Sequence, residues 1–104
     1  MFGQENTYMN KYILPVDYTV LSQKERKEVR EQYIAEQNGK CMYCKCDLTL
    51  PPPERITKKW INWRLFPSNF LSNPIHLQHC HITGLTEGAV HAYCNAVLWQ
   101  YDGR

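Results

Sequence analysis

The stretch HAYC, residues 91–94, holds a histidine and a cysteine that are separated by two residues. The same gap separates Cys41 from Cys44 in the stretch CMYC, residues 41–44. Structural zinc sites take four Cys or His ligands, usually as two close pairs that the fold brings together. We therefore predict a structural Zn²⁺ bound by Cys41, Cys44, His91 and Cys94.

Each part of this ligand set has an alternative. Cys46 could replace Cys44, Cys94 could be a buried helix residue, and His91 could be a core histidine. Five cysteines and four histidines in 104 residues are nevertheless more than packing requires. Because five is odd, the cysteines cannot all pair, and their CxxC spacing is typical of thiolate ligands in a reducing compartment. A disulfide framework is the lesser alternative.

A chain of 104 residues is long enough for one domain and too short for two. We predict a small, zinc-stabilised α+β fold, in which an N-terminal helix and a CxxC knuckle pack on a C-terminal strand–turn–strand–helix motif. Bound zinc would supply folding free energy to a domain whose core is modest. The predicted parts are an N-terminal extension (1–20), the helix and knuckle (22–50), an insertion with prolines and tryptophans (51–73) and the C-terminal motif (74–102).

The clearest helical pattern covers residues 22–37. Ser22 followed by Glu25 is a capping-box pattern at its start, and Asn38-Gly39 tolerates the left-handed conformation that ends a helix. Its narrow apolar stripe consists of Leu21, Val29, Tyr33 and Ile34.

Other segments give weaker predictions. We expect an irregular loop or short helix over 54–73, a strand over 75–80, a turn at 83–84, a strand over 86–90 and a helix over 91–101. Aromatic residues of the insertion are expected in the core rather than as a platform for bases: Trp60, Trp63, Phe66 and Phe70. Part of the N-terminal extension is expected to lie extended against the core: Tyr12, Ile13, Leu14 and Val16.

The net charge of +2 and the isoelectric point of about 8.3 are compatible with nucleic acid but argue for it only weakly. Two basic stretches, KERKEVR (24–30) and KKWINWR (58–64), could concentrate positive charge on one face. The charged side of the first helix is either a solvated surface or a phosphate-facing one. The N-terminus lacks a signal-peptide pattern and no segment is apolar enough to span a membrane, so we expect a cytoplasmic protein.

A second cluster of histidines lies in HLQHCHITG, residues 76–84. If the strand that carries them turns back and packs on the last helix, they face Asn95 across a small cleft. A histidine there could deprotonate water near neutral pH, since its ordinary pKa is about 6.5. A hard divalent cation beside it would neutralise charge on a phosphate.

The last 30 or so residues resemble the ββα-metal, or HNH, nucleases, and most closely the phage recombination endonuclease VII type. The likeness rests on QHCHITG (78–84), on GAV (88–90) and on HAYCN (91–95), and the upstream CxxC after a helix also agrees. It covers roughly residues 23–101 and leaves out 1–20 and 50–73.

The resemblance implies a divalent-metal-dependent DNA endonuclease. It implies that His79 is the general base, that His81 supports the phosphate or leaving group, and that Asn95 helps to hold a catalytic Mg²⁺, Mn²⁺ or other divalent transition ion. Gln78 stands at the family's metal-binding position. The expected partner is double-stranded or branched DNA, with a homodimer and a phage-infected or bacterial cell as further expectations from the family.

The chain departs from the family pattern at two positions. Gln78 replaces the usual Asp or His before the base, and Cys80, a soft ligand, replaces the second Asp. These departures favour an alternative in which a catalytically degraded zinc module binds DNA or a protein without cleavage. A small structural zinc protein with no nucleic-acid role is a third hypothesis. His76 is expected to be a partly buried hydrogen-bonding residue, and His81 could instead cap the turn at Thr83-Gly84.

Overall fold

The computed structural model describes residues 11–103, so the first half of the predicted N-terminal extension lies outside the described residues. These described residues form a small α+β fold with three α-helices and one two-stranded antiparallel sheet. In chain order the elements are α1 (Gln23–Glu36), α2 (Glu54–Thr57), β1 (Ile75–His79), β2 (Thr86–His91) and α3 (Ala92–Asp102). Two 3₁₀ turns lie at Tyr18–Val20 and Trp63–Leu65. The predicted order of elements is confirmed.

Helix α1 begins with the predicted capping box. The Ser22 hydroxyl accepts from the Glu25 amide at 3.1 Å, and the Glu25 carboxylate accepts from the Ser22 amide at 2.8 Å. The helix ends where Asn38 and Gly39 adopt positive φ angles of 57° and 74°. The Gly39 amide then donates to the Ile34 carbonyl at 2.8 Å, which satisfies an end carbonyl of the helix.

Replacing Ser22 by alanine is expected to lower the free energy of unfolding by about 1 kcal/mol, because the amide of Glu25 loses its acceptor. Urea denaturation followed by circular dichroism measures this change. Ser22→Asp restores an acceptor and serves as the control, so equal destabilisation by both substitutions would contradict the capping role.

Strands β1 and β2 pair antiparallel with Ile75 opposite His91 and Leu77 opposite Ala89, and the register shifts between Gln78 and His79. The sheet packs against α1 and α3. Buried apolar side chains from α1, α3 and β2 form the centre of the core, including Val29, Val90, Val97 and Leu98.

Two predictions about burial are wrong. Trp60 is 70 % exposed and Trp63 is 39 % exposed, whereas Phe66 and Phe70 pack against the core as predicted. Trp63 contacts Phe66 and Tyr93 at the surface instead. Ile13 is 90 % exposed, although its neighbours Tyr12, Leu14 and Val16 do pack inward. The alternation along this segment turns Ile13 away from the core.

The N-terminal segment is fixed to the turn between β1 and β2. Asp17 forms an antiparallel bridge with Leu85, the Thr86 amide donates to the Val16 carbonyl at 2.8 Å, and the Tyr18 amide donates to the Gly84 carbonyl at 2.8 Å. Gly84 has φ of +81°, and an added Cβ there would lie 3.0 Å from an Asp17 carboxylate oxygen. Residues 16–18 therefore lie directly beside the histidine-bearing turn.

Within residues 11–103, no helix combines the length and the apolar character that crossing a bilayer requires.

Candidate functional site

The four predicted metal ligands lie together. The Sγ atoms of Cys41, Cys44 and Cys94 and one ring nitrogen of His91 are all within 4.8 Å of one another, and all four residues are buried. The His91 Nδ1 atom is 3.4 Å from the Cys44 Sγ and 3.7 Å from the Cys94 Sγ. A tetrahedral ion with bonds of about 2.3 Å to sulfur and about 2.0 Å to nitrogen requires S–N separations of about 3.6 Å. This Cys/His cluster could therefore hold a metal ion such as zinc.

The fold builds the cluster from two places in the chain. Cys41 and Cys44 lie on the knuckle after α1, where Lys45 has a φ of +67° and the Cys41 amide donates to the Cys46 carbonyl at 2.8 Å. His91 ends β2 and Cys94 lies in the first turn of α3. The Met42 amide donates to the Ala89 carbonyl at 2.9 Å, which joins the knuckle to β2.

A glycine permits this close approach. A Cβ at Gly88 would lie 2.8 Å from the Gln37 Oε1 atom and 2.9 Å from the Met42 Sδ atom. The Gln37 amide is itself fixed, because it accepts from the Ala89 amide and donates to the Ala89 carbonyl, both at 2.9 Å. The knuckle and β2 are thus held in contact next to the cluster.

The hydrogen bonds of His91 select the ring nitrogen that faces the thiols. Its Nε2 atom lies 3.0 Å from the Asp47 carbonyl oxygen and 2.9 Å from that of Leu50. Both partners only accept, so Nε2 carries the proton and Nδ1 is left with a lone pair directed at Cys44 and Cys94. A metal-binding histidine commonly donates its second N–H to a backbone carbonyl in this way.

The thiols also interact with one another. A hydrogen bond from Cys94 lowers the pKa of Cys41 to about 4, and the same pairing raises the pKa of Cys94. Burial raises the pKa of Cys44. Three thiolates this close repel one another, so ion binding would release the protons that the cluster otherwise retains.

Cys46 lies outside the cluster. Its Sγ contacts the Cys44 carbonyl at 3.5 Å and lies 4.0 Å from the Arg55 guanidinium. Cys44, and not Cys46, belongs to the cluster that could hold a metal ion, and all five cysteines are free thiols, which excludes the disulfide framework.

The predicted catalytic residues line a separate cleft of about 570 Å³ between α1 and the β1–α3 side of the domain. One wall carries three cations of α1, namely Arg26, Lys27 and Arg30. The other wall carries the predicted site residues together with two aromatic neighbours: His76, Gln78, His79, His81, Asn95, Phe70 and Trp99. Part of the first basic stretch therefore faces the cleft.

His79 is held by ring contacts. Its imidazole stacks on the Tyr18 ring, with centroids 3.9 Å apart and planes 7° from parallel, and the His81 ring lies 4.5 Å away. Burial lowers the pKa of His79, and electrostatic interactions with the neighbouring His81 and Arg26 lower it further. A lowered pKa keeps the imidazole neutral at neutral pH, as a base requires. His81 is exposed and contacts the Trp99 ring edge at 4.5 Å.

Asn95 is buried, with 8 % of its surface exposed, and its two amide atoms have different surroundings. The Nδ2 atom donates to the His76 Nδ1 atom at 3.0 Å, and the His76 Nε2 atom donates to the Phe70 carbonyl at 2.9 Å. The Oδ1 atom is buried and has no hydrogen-bond partner within residues 11–103. An unpaired buried carbonyl oxygen is costly, and a cation is one group that would satisfy it. His76 is the partly buried hydrogen-bonding residue that the sequence predicts.

Gln78 and Cys80 form hydrogen bonds with neighbouring residues of the β1–β2 hairpin. The buried Gln78 amide donates to the His79 carbonyl at 3.0 Å, across the register shift of the hairpin. Hydrogen bonds from Thr83, and from the amide of Ile82, lower the pKa of Cys80. Cys80 belongs to no group of metal-binding side chains within the described part of the chain.

Tyr18 and Trp99, two aromatic residues that line this cleft, did not emerge from the sequence as site residues. Tyr18 and Trp99 contact the histidines through rings, and Arg26 lies over Tyr18. A surplus of aromatics and cations in the sequence is compatible with these contacts, but no local spacing indicates them. The second basic stretch, 58–64, does not line the cleft.

Comparisons with family models, with curated proteins and with solved structures found no match to this chain.

Proposed function

We propose that the protein is a divalent-metal-dependent endonuclease that hydrolyses phosphodiester bonds in DNA. The observation that carries the proposal is a set of groups that line one cleft: a histidine with a lowered pKa, a buried carbonyl oxygen that has no hydrogen-bond partner within residues 11–103, and three cations. The ββα-metal resemblance of residues 74–102 assigns roles to the same side chains.

The base in this scheme is His79. Neither of its ring nitrogens has a hydrogen-bond partner within residues 11–103, so one is able to accept a proton from water at the cleft. His81, exposed at the rim, would donate to the phosphate or to the leaving oxygen.

The cations of α1 suit the phosphate backbone. Arg26, Lys27 and Arg30 share one side of the helix and face His79 and Asn95 across the cleft. Contacts of this type fix the position of DNA and supply affinity without reading sequence. A phosphate held between the two walls would lie beside the base.

We assign the Oδ1 atom of Asn95 as a ligand of the catalytic ion. A divalent ion held there would neutralise charge on the scissile phosphate and stabilise the leaving oxygen. Gln78 stays a predicted ligand, and its carbonyl oxygen is the atom that would take part. The Cys/His cluster has the separate role of joining the knuckle to β2 and α3.

A second candidate is a zinc module that binds DNA without cleaving it. Among the described residues, the cleft wall contains no carboxylate, and Glu87 is engaged with the Gln78 amide at 3.4 Å. A site without a carboxylate holds Mg²⁺ weakly. The amide and imidazole donors present suit Mn²⁺, Co²⁺ or Ni²⁺ better.

Supercoiled plasmid incubated with the purified protein distinguishes the two candidates. We expect nicked circles with at least one of Mg²⁺, Mn²⁺, Co²⁺ or Ni²⁺, and none in metal-depleted buffer. Depleted buffer is preferable to a strong chelator, which would also remove an ion from the Cys/His cluster. Salt-sensitive DNA binding without nicking in any metal would reject the nuclease and support the binding module.

A further inference from the structure

Among the described residues, no hydrogen bond to a ring nitrogen orients the imidazole of His79. A histidine that acts as a base is commonly fixed by a hydrogen bond from its second ring nitrogen to a carboxylate or carbonyl. Within residues 11–103 neither ring nitrogen of His79 makes such a bond. The His79 ring instead stacks face to face on the Tyr18 ring, with centroids 3.9 Å apart, and the His81 ring lies 4.5 Å away at a tilt of 49°.

Tyr18 is well fixed on its other sides. The Arg26 guanidinium carbon lies 3.9 Å from the centre of the Tyr18 ring, and the Arg26 Nη2 atom donates to the Tyr18 carbonyl at 3.2 Å. The Tyr18 amide donates to the Gly84 carbonyl at 2.8 Å. The ring is thus anchored to α1 on one side and to the turn of the hairpin on the other.

We propose that Tyr18 is a positioning residue that fixes the plane of the His79 imidazole by stacking, so that the ring edge with its nitrogens points toward the cleft. The order Arg26, Tyr18, His79 forms a continuous stack that reaches from α1 to β1. This inference rests on the proposed function, because it takes His79 to be the base. Tyr18 lies in the segment 1–20, which is outside the ββα-metal resemblance.

Stacking leaves both ring nitrogens unblocked. It fixes the plane of the ring while water or a phosphate oxygen can reach the edge. The nearly parallel arrangement requires a planar face at position 18, and the phenol hydroxyl takes no part in it. Two substitutions separate these features: Tyr18→Phe keeps the planar ring, and Tyr18→Leu keeps much of the volume without it.

The kinetic test measures plasmid nicking for both variants under saturating metal. We expect Tyr18→Leu to lower kcat by about 10- to 100-fold with KM for DNA nearly unchanged, since a misplaced base slows the reaction without weakening binding. Tyr18→Phe should stay within about 2-fold of the unsubstituted protein. Equal kcat in all three proteins, or equal loss in both variants, would overturn the proposal.

The second readout does not depend on catalysis. A stacked tyrosine shifts the His79 ring protons upfield in the proton NMR spectrum, and His79→Gln identifies those signals by their loss. Tyr18→Leu should move them downfield by several tenths of a ppm, Tyr18→Phe should preserve them, and the His91 signals should stay in place in both.

The two readouts separate the two hypotheses. If no protein nicks DNA in any metal, the endonuclease fails, while the NMR shifts still decide whether Tyr18 fixes the ring. If nicking occurs and His79 shifts are the same in Tyr18→Leu, the stack is absent in solution and the positioning role is rejected. Bound-metal content of Tyr18→Leu should match that of the unsubstituted protein, because Tyr18 is not one of the residues of the Cys/His cluster, and circular dichroism at the assay temperature should show that the variant is folded.

Discussion

Replacing Cys94 by alanine is expected to abolish zinc binding at the Cys/His cluster and to unfold most of the domain. The substitution leaves three of the four donors of the Cys/His cluster, and two of these are the buried thiols of Cys41 and Cys44. Structural zinc supplies about 10–16 kcal/mol in zinc-finger peptides, which is comparable to the total stability of about 5–15 kcal/mol of a small domain. Elemental analysis of the purified protein should give one equivalent of zinc, and circular dichroism should show the loss of cooperative melting in the variant.

Cys46→Ser is the matched control for this experiment. Cys46 lies two residues after Cys44 but supplies no atom to the cluster, so its replacement should preserve one zinc and the melting temperature within a few degrees. His91→Ala should behave like Cys94→Ala. Zinc-free unsubstituted protein, or a Cys94→Ala variant that melts normally, would contradict a structural metal at this cluster.

The Cys/His cluster and the main elements are predictable from the sequence because their signals are local. The pairs in CMYC (41–44) and HAYC (91–94) have the short spacing that lets one turn of backbone present two donors. The capping pattern at Ser22 and the Asn38-Gly39 stop are likewise readable from neighbours, and α1 begins and ends beside them. The spacing of the Cys and His pairs, the helix cap and the helix stop can therefore be predicted from neighbouring residues alone.

Other contacts of the cleft depend on residues far apart in the chain. The Tyr18–His79 stack and the Asn95–His76 hydrogen bond form only when the N-terminal segment, β1 and α3 come together. No spacing rule indicates such pairs, and an aromatic residue at position 18 is equally suited to the core. From the sequence, Trp60 is expected in the core, and it is exposed instead. An apolar residue in an irregular segment carries no local signal that says whether its side chain will be buried or exposed.

The basic residues of α1 lie partly on the side of the helix that faces the cleft. From the sequence alone, KERKEVR is either a solvated surface or a phosphate-facing one. Arg26, Lys27 and Arg30 line the cleft, while Lys11 pairs with Glu28 on a different side at 2.9 Å. The acidic and basic residues of α1 are thus partly segregated, which the small net charge of the chain conceals.

Replacing His79 by alanine is expected to lower the rate of plasmid nicking by about 10²- to 10⁴-fold, the range over which a general base contributes. DNA affinity should change little, because the cations of α1 that would contact phosphate are untouched. Nicking assays across the effective metals measure the first quantity, and fluorescence anisotropy with a labelled duplex at several salt concentrations measures the second. Affinity that falls steeply with salt indicates phosphate contacts.

Ile82→Ala is the control for the same hairpin turn, since Ile82 is 94 % exposed and its loss should leave nicking within about 2-fold. Unchanged nicking in His79→Ala would remove this residue from the role of base. A joint loss of nicking and of salt-dependent binding would mean that His79 holds the DNA instead. Retained binding with lost nicking separates chemistry from recognition, because His79→Ala removes the base and leaves Arg26, Lys27 and Arg30 of α1 in the protein.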